Sequence, residues 1–152
     1  MTEFFTFLAV LGLDFGTKQW AEKTLPLNRR KEIVRNHLYF WHIKNSGIAY
    51  NRFSGRRKEI LFFTGGILAF YGMQFINILR GKGDRRLALP LAMTLAGGVG
   101  NFLERLQKGK VTDFLYIPAK GRKAPIFNVA DVFIWIGAAG LAVLPLAKNV
   151  KK

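Results

Sequence analysis

Residues 87–106 have the sequence LALPLAMTLAGGVGNFLERL. This apolar run approaches the ~20 residues that a helix needs to cross the hydrocarbon of a membrane. Three more such runs lie at residues 4–20, 60–79 and 128–146, and the charged residues lie almost entirely between the runs. We therefore predict an all-α membrane protein with four transmembrane helices, forming a single domain over residues 1–152. Four crossings place both termini on one side of the membrane.

The composition supports a membrane protein. Half of the residues are hydrophobic, yet Lys and Arg outnumber Asp and Glu by 24 to 9, for a net charge of +15. A nucleic-acid-binding domain would present its basic surface on a soluble module, and none fits between the runs, so we expect no nucleic acid. Membrane phospholipid is the expected partner, because each Lys or Arg beside a span is attracted to anionic headgroups by about 1 kcal/mol. The absence of cysteine excludes disulfides and thiolate chemistry.

The segment between the first two runs, residues 21–59, is too long for a simple turn. Its middle, residues 33–43, is rich in β-branched and aromatic residues, which is typical of strands. We therefore predict a small interfacial β-sheet in this first loop, at about residues 31–50.

Polar side chains gather at the ends of the runs. Each one costs free energy there and so needs a partner or a task. The alternating topology places them all on the same side of the membrane as the long first loop. They are Asp14, Lys18, Asn101, Glu104, Arg105, Asp113, Asn128 and Asp131. This clustering predicts one functional face.

Two pairs of these residues have helical spacing. Asp14 and Lys18 are four residues apart with the acid first, which favours a structural ion pair. Asn101 and Arg105 share one helix face, and a cation that enters a space between helices needs an anionic or carbonyl-rich partner. A contact between Arg105 and Glu104 is the alternative.

Asp113 follows the third run and Asp131 begins the fourth, so the two carboxylates can meet at the ends of consecutive antiparallel helices. In a poorly solvated site they would share one proton, leaving one as the general base for water and the other as the acid. Alternatively, Asp131 caps the fourth helix, because an acid near a helix N-terminus is stabilising. Spacing alone leaves both interpretations open.

Other catalytic chemistries lack their residues. His37 and His42 are the only histidines and are not spaced as a helical metal pair, so we expect no metal site. The sequence has no Gly-rich phosphate loop outside the runs and no G-x-S-x-G elbow, and we expect no cofactor.

Five motifs in order resemble those of the lipoprotein signal peptidases, also called signal peptidase II. They are DFGTK at 14–18, NSGIAY at 45–50, GNFLER at 100–105, VTDF at 111–114 and FNVAD at 127–131. Each motif alone is weak, but five in the same order, spread over nearly the whole chain, are specific.

This resemblance implies an aspartic endopeptidase with Asp113 and Asp131 as the catalytic dyad. It implies that other motif residues bind substrate or support the site. These are Asn45, Gly47, Asn101, Arg105, Asn128, Asp14 and Lys18. The implied substrates are prolipoproteins, cut before a cysteine that already carries diacylglycerol. The implied location is the bacterial cytoplasmic membrane with the active site on the extracytoplasmic side, and we expect a monomer.

Three residues depart from the family pattern. Glu104 stands where Asp is usual, Ala96 where Gly is common, and Val132 where a small hydroxyl residue often follows the second aspartate. Glu104 keeps the charge but has a longer reach. The competing hypotheses are a non-enzymatic polytopic membrane protein and an inactive paralogue that binds lipoproteins without cutting them.

The distribution of basic residues conflicts with the implied orientation. Residues 18–58 hold eleven Lys and Arg and residues 105–123 hold six, against four between the second and third runs and three in the tail. The positive-inside rule alone would place the active face in the cytoplasm. We predict an extracytoplasmic face, as the resemblance implies, with the basic charge serving anionic lipid.

Overall fold

The computed structural model of the chain describes residues 1–119 and 123–149; residues 120–122 and 150–152 of the predicted domain lie outside these ranges. The described residues form four long α-helices, a four-stranded antiparallel sheet and two short 3-10 turns. The elements are α1 Thr2–Thr24, β1 Arg30–Val34, β2 Leu38–Asn45, a turn at Ala49–Asn51, α2 Arg57–Leu79, a turn at Arg85–Leu87, α3 Ala88–Lys108, β3 Val111–Tyr116, β4 Ile126–Phe127 and α4 Val129–Asn149.

Three helical segments of the described chain are long and apolar enough to cross a membrane: Arg57–Leu79, Arg85–Lys108 and Val129–Leu146. They cover three of the four predicted runs. The run at residues 4–20 also lies in a helix, α1, but α1 is not among these segments. Asp14 and Lys18 lower its hydropathy, so its passage through the membrane stays a prediction.

The surface of α2 is that of a protein in lipid. Six of its large apolar side chains are about half exposed or more: Phe62, Phe63, Ile67, Phe70, Met73 and Ile76. A contiguous apolar surface of this kind is rare on soluble monomers. Together with the length of the apolar helices, it identifies an integral membrane protein.

The central helix is α3, which packs against each of the other three long helices. Small residues allow its close approach to α4. A Cβ added at Gly97 would contact the carbonyl oxygen of Ala130 and lie 2.9 Å from Ile134 Cγ1. A Cβ added at Gly137 would likewise lie 2.5 Å from the carbonyl oxygen of Pro90. This close contact brings the start of α4 against the middle of α3.

The sheet has the strand order β1-β2-β3-β4. Strands β1 and β2 lie where the first-loop sheet was predicted, whereas residues 46–50 lie outside it. The prediction omitted β3 and β4, which come from the segment between α3 and α4. Their pairing joins residues far apart in the chain, so a short strand such as Val111–Tyr116 carries no local signal of its partner. The sheet packs on α1 through Trp20, whose ring centroid lies 5.0 Å from that of Phe40.

The turn after α3 brings the functional segment onto the sheet. Gly109 ends the helix in the left-handed conformation, with φ of 72°, which glycine adopts without a steric penalty. Strand β3 then pairs with β2 in a register that sets Asp113 opposite Ile43 and Val111 opposite Asn45. Asp113 therefore lies beside Asn45 although the two residues belong to strands that are far apart in the chain.

Candidate active site

A cavity of about 140 Å³ lies between the ends of α3 and α4 and the sheet. Six of the predicted site residues line it: Asn45, Asn101, Arg105, Asp113, Asn128 and Asp131. Both aspartates therefore face the same space. The other three predicted site residues, Asp14, Lys18 and Gly47, are not among its lining residues.

Asp113 is buried and accepts two amide hydrogen bonds. Asn45 Nδ2 donates to its Oδ2 at 3.0 Å, and Asn128 Nδ2 donates to its Oδ1 at 2.7 Å. Burial, reinforced by the negative charge of Asp131, raises the pKa of Asp113 to about 7. Asp113 can therefore hold a proton near neutral pH.

Asp131 both faces the cavity and caps α4. Its Oδ2 accepts the backbone N–H of Asn128 at 3.1 Å, and its own N–H donates to Asn128 Oδ1 at 3.0 Å. This reciprocal pair is a capping box. Its other oxygen, Oδ1, accepts from Asn101 Nδ2 at 2.8 Å. The capping interpretation describes one side of this carboxylate and leaves the other directed toward the cavity.

Two asparagines connect the carboxylates. Asn128 Nδ2 donates to Asp113 and also to Asn101 Oδ1 at 3.1 Å. Asn101 Oδ1 accepts a further hydrogen bond from Lys18 Nζ at 2.7 Å. Because the ammonium of Lys18 only donates, the Asn101 oxygen must face it and the amide nitrogen must face Asp131.

The predicted pair of Asp14 and Lys18 is present and buried, with Nζ 2.7 Å from Asp14 Oδ2. Asp14 Oδ1 also accepts the backbone N–H of Ala130 at 3.1 Å, which ties α1 to the start of α4. A Cβ added at Gly100 would collide with Asp14 Oδ2, so the glycine makes room for the carboxylate.

Arg105 has the carbonyl partner that its position predicts. One guanidinium nitrogen donates to the carbonyl oxygen of Gly47 at 2.8 Å. The recorded ion pairs of Glu104 are instead with Lys18 and Lys108. Arg105 Nε is buried without a hydrogen-bond partner among the described residues, so this cavity-lining side chain retains an unused donor.

Gly47 begins a tightly folded loop at the cavity edge. Its N–H donates to Asn45 Oδ1 and to Asn51 Oδ1, each at 3.0 Å. A Cβ at this position would contact the carbonyl oxygen of Arg52 and lie 2.6 Å from the carbonyl carbon of Asn51. Only glycine fits here without displacing the loop that Arg105 holds.

Sequence reasoning missed the apolar wall of the cavity. Ile48, Ile126, Phe127 and Trp135 line it, and the rings of Phe127 and Trp135 lie 5.2 Å apart. Trp135 is one helical turn after Asp131, and this spacing was the available signal. The wall gives the site an apolar side beside its two carboxylates.

The family profile described as signal peptidase (SPase) II matches residues 6–146. This chain belongs to the signal peptidase II family. It is 32% identical over 145 residues to the lipoprotein signal peptidase of Xanthomonas oryzae pv. oryzae, with 94% of this chain and 87% of the relative covered. It is 28% identical over 145 residues to the lipoprotein signal peptidase of Clostridium tetani, covering 93% and 92%.

Solved structures show the same fold. One is a bacterial membrane enzyme determined by the in meso method at 2.3 Å resolution, with a TM-score of 0.86 at 24% identity, covering 99% of this chain and 91% of that one. A second, determined in the same way at 1.9 Å, gives a TM-score of 0.80 at 25% identity, covering 95% and 92%. The chain is thus an integral membrane member of a signal peptidase II family of proteases.

Proposed function

We propose that this signal peptidase II family member is an aspartic endopeptidase that removes the signal peptide from prolipoproteins. The bond cut is the one before the diacylglyceryl-modified cysteine. The carrying observation is that Asp113 and Asp131 face one small cavity and are both hydrogen-bonded to Asn128. Helix capping alone would not require Asp113 and Asp131 to face the same cavity or to share Asn128 as a hydrogen-bond partner.

We assign different roles to the two aspartates. Each accepts two hydrogen bonds, Asp131 from Asn101 and the Asn128 backbone and Asp113 from the amides of Asn45 and Asn128. We assign the ionised form to Asp131 because its negative charge helps to raise the pKa of Asp113. Asp113, whose pKa is raised to about 7 by burial and by the charge of Asp131, holds the shared proton. Their titration belongs to the pair, as in other coupled carboxylates.

This division of roles gives a balanced hydrolysis. Asp131 takes a proton from a water molecule as the water oxygen attacks the scissile carbonyl carbon, and Asp113 gives its proton to the carbonyl oxygen. The tetrahedral intermediate then collapses: one of its hydroxyl groups returns a proton to Asp113 as the product carboxyl group forms, the C–N bond breaks, and Asp131 gives the proton taken from water to the leaving nitrogen. Both aspartates thereby regain their starting protonation states. Arg105 lines the same cavity, and its unused Nε–H can donate a hydrogen bond to a substrate carbonyl oxygen.

The position of the site suits a lipid-anchored substrate. Asp113 lies in strand β3 and Asp131 in the first turn of the apolar helix α4, and α1 crosses the membrane beside them in this proposal. Trp20, Tyr39 and Trp41 match the aromatic belt at a membrane surface. The proposed setting is the bacterial cytoplasmic membrane with the site on its extracytoplasmic side.

The test is direct cleavage. Purified protein in phospholipid vesicles is incubated with a diacylglyceryl-modified precursor peptide, and the two fragments are identified by mass. Cleavage before the modified cysteine supports the proposal. Binding of the peptide without cleavage, by a well-folded protein, would instead identify an inactive lipoprotein-binding relative.

A further inference from the structure

Beside Asp113, the edge of β3 forms its hydrogen bond with a side chain instead of with a neighbouring strand. Thr112 is fully buried, and its backbone pairs with Lys44 of β2 on one side. On the other side, β4 pairs with Leu115 and Tyr116 within the described residues, which is short of Thr112. The buried N–H of Thr112 therefore needs another acceptor.

Glu104 is that acceptor. Its Oε2 accepts the Thr112 N–H at 3.1 Å, and its Oε1 accepts the Thr112 hydroxyl at 2.5 Å. Glu104 Oε2 also lies 3.3 Å from Lys18 Nζ. Glu104 is itself buried, with 8% of its surface exposed, so these contacts form with little competition from solvent.

The same carboxylate reaches the second aspartate by another route. Lys18, which pairs with both Glu104 and Asp14, donates to Asn101 Oδ1, and Asn101 in turn donates to Asp131 Oδ1. One route runs from Glu104 through the Thr112 backbone to Asp113, and the other runs through Lys18 and Asn101 to Asp131.

We infer that Glu104 is a positioning residue that fixes the relative positions of the two aspartates of the proposed dyad. This inference rests on the proposed function. It has no recorded contact with either aspartate. Its four partners are the Thr112 N–H, the Thr112 hydroxyl and the ammonium groups of Lys18 and Lys108, and all four donate. A carboxylate can accept from all of them, whereas the amide of Gln would turn its NH₂ toward one of these donors.

The chain offers a matched control in Glu22. Its Oε1 lies 2.9 Å from the same Thr112 hydroxyl, whose single proton the two carboxylates share, and pairs with Lys44 and with Lys108. It is about a quarter exposed, and its recorded contacts include neither the Thr112 N–H nor Lys18. Glu22→Gln therefore removes the same charge and a contact to the same hydroxyl without touching either route.

The experiment compares wild type, Glu104→Gln, Glu22→Gln and Asp113→Asn in vesicles with a diacylglyceryl precursor peptide, measuring kcat and KM separately. Misplacement of reacting groups by about 1 Å costs on the order of 10²-fold, so we expect Glu104→Gln to lose kcat on this scale at unchanged KM. Glu22→Gln should keep the wild-type kcat.

Wild-type kcat in Glu104→Gln, or an equal loss in Glu22→Gln, would overturn the positioning role while leaving the proposed function intact. Wild-type protein that does not cleave would overturn the proposed function, and the inference with it.

A second variant covers the case in which Glu104→Gln does not purify as a single folded species. Thr112→Val keeps the backbone N–H and the volume of the side chain but removes the hydroxyl that donates to Glu104. A fall in kcat at unchanged KM then supports the positioning role, provided that Glu22→Gln is unaffected. Wild-type kcat in Thr112→Val would show that the hydroxyl contact to Glu104 has no part in positioning Asp113 and would overturn that part of the role.

Discussion

Asp131 has two structural roles at once. Its Oδ2 and its N–H complete the capping box with Asn128, while its Oδ1 remains available to Asn101 beside the cavity. From the sequence, helix capping and the catalytic dyad were competing interpretations of Asp131, because residue spacing does not give the hydrogen-bond partners of its two carboxylate oxygens. The geometry makes them compatible, so a substitution must separate capping from catalysis.

The proton held by Asp113 gives a prediction about pH. Because its pKa is raised to about 7, Asp113 is protonated below that pH and ionised above it. If Asp113 is the acid, kcat/KM should fall as the pH rises through about 7. The measurement is a pH profile of cleavage of the lipidated peptide, made at constant ionic strength.

The variant Asn45→Ala tests whether Asp113 is the group that titrates in this pH profile. The Asn45 amide donates to Asp113 and lowers the pKa of that carboxyl. Removing the amide should therefore move the alkaline limb to higher pH, in addition to any loss of rate. A limb that stays in place or moves to lower pH would show that Asp113 is not the titrating group.

At the scale of elements, the contact between α3 and α4 sets the position of Asp131. Gly97→Ala would place a Cβ against the Ala130 carbonyl oxygen and Ile134. Overpacking of this kind typically costs about 1–3 kcal/mol, so we expect a lower unfolding temperature in detergent and a lower kcat. Gly72→Ala in α2 is the control, because nothing lies within 4 Å of its Cβ. Equal stability of the two variants would contradict the close packing of α3 on α4.

The helical elements were predictable from the sequence and much of the sheet was not. The apolar runs specify helices through local composition, and three of the four match segments able to cross a membrane. Strands β3 and β4 gain their partners only when the chain folds, so residues 111–116 carried no sign of pairing with β2. The role of Glu104 was hidden for the same reason, since its partner Thr112 lies across the turn at Gly109.

At the scale of the whole molecule, the account predicts an orientation. The loop that contains Ser54 should lie outside the cytoplasm and the turn that contains Lys82 inside. The native chain has no cysteine, so Ser54→Cys and Lys82→Cys each provide a single thiol. In intact cells, a membrane-impermeant thiol reagent should label the first variant and leave the second unlabelled. The reverse pattern would agree with the positive-inside count and overturn the assignment.

The account also predicts that the substrate must carry its lipid. Burial of acyl chains contributes about 0.8 kcal/mol per CH₂ and would hold the scissile bond at the membrane surface, beside the cavity. A precursor peptide without diacylglycerol should therefore be cut far more slowly at matched concentration. Equal cleavage of the two peptides would mean that the protein recognises the peptide alone.

The most direct test of the central claim is the turnover of Asp131→Asn on lipidated precursor. The side-chain oxygen of an Asn at this position can still accept the Asn128 backbone N–H, so α4 should remain folded, but an amide cannot take a proton from water. We predict loss of nearly all turnover while the variant still inserts, purifies as a single species and binds the lipidated peptide. Asp113→Asn should behave in the same way, and the double variant should lose little more, because residues that act as one unit are not additive. Substantial cleavage by a well-folded Asp131→Asn would contradict the dyad and leave Asp131 as a helix cap.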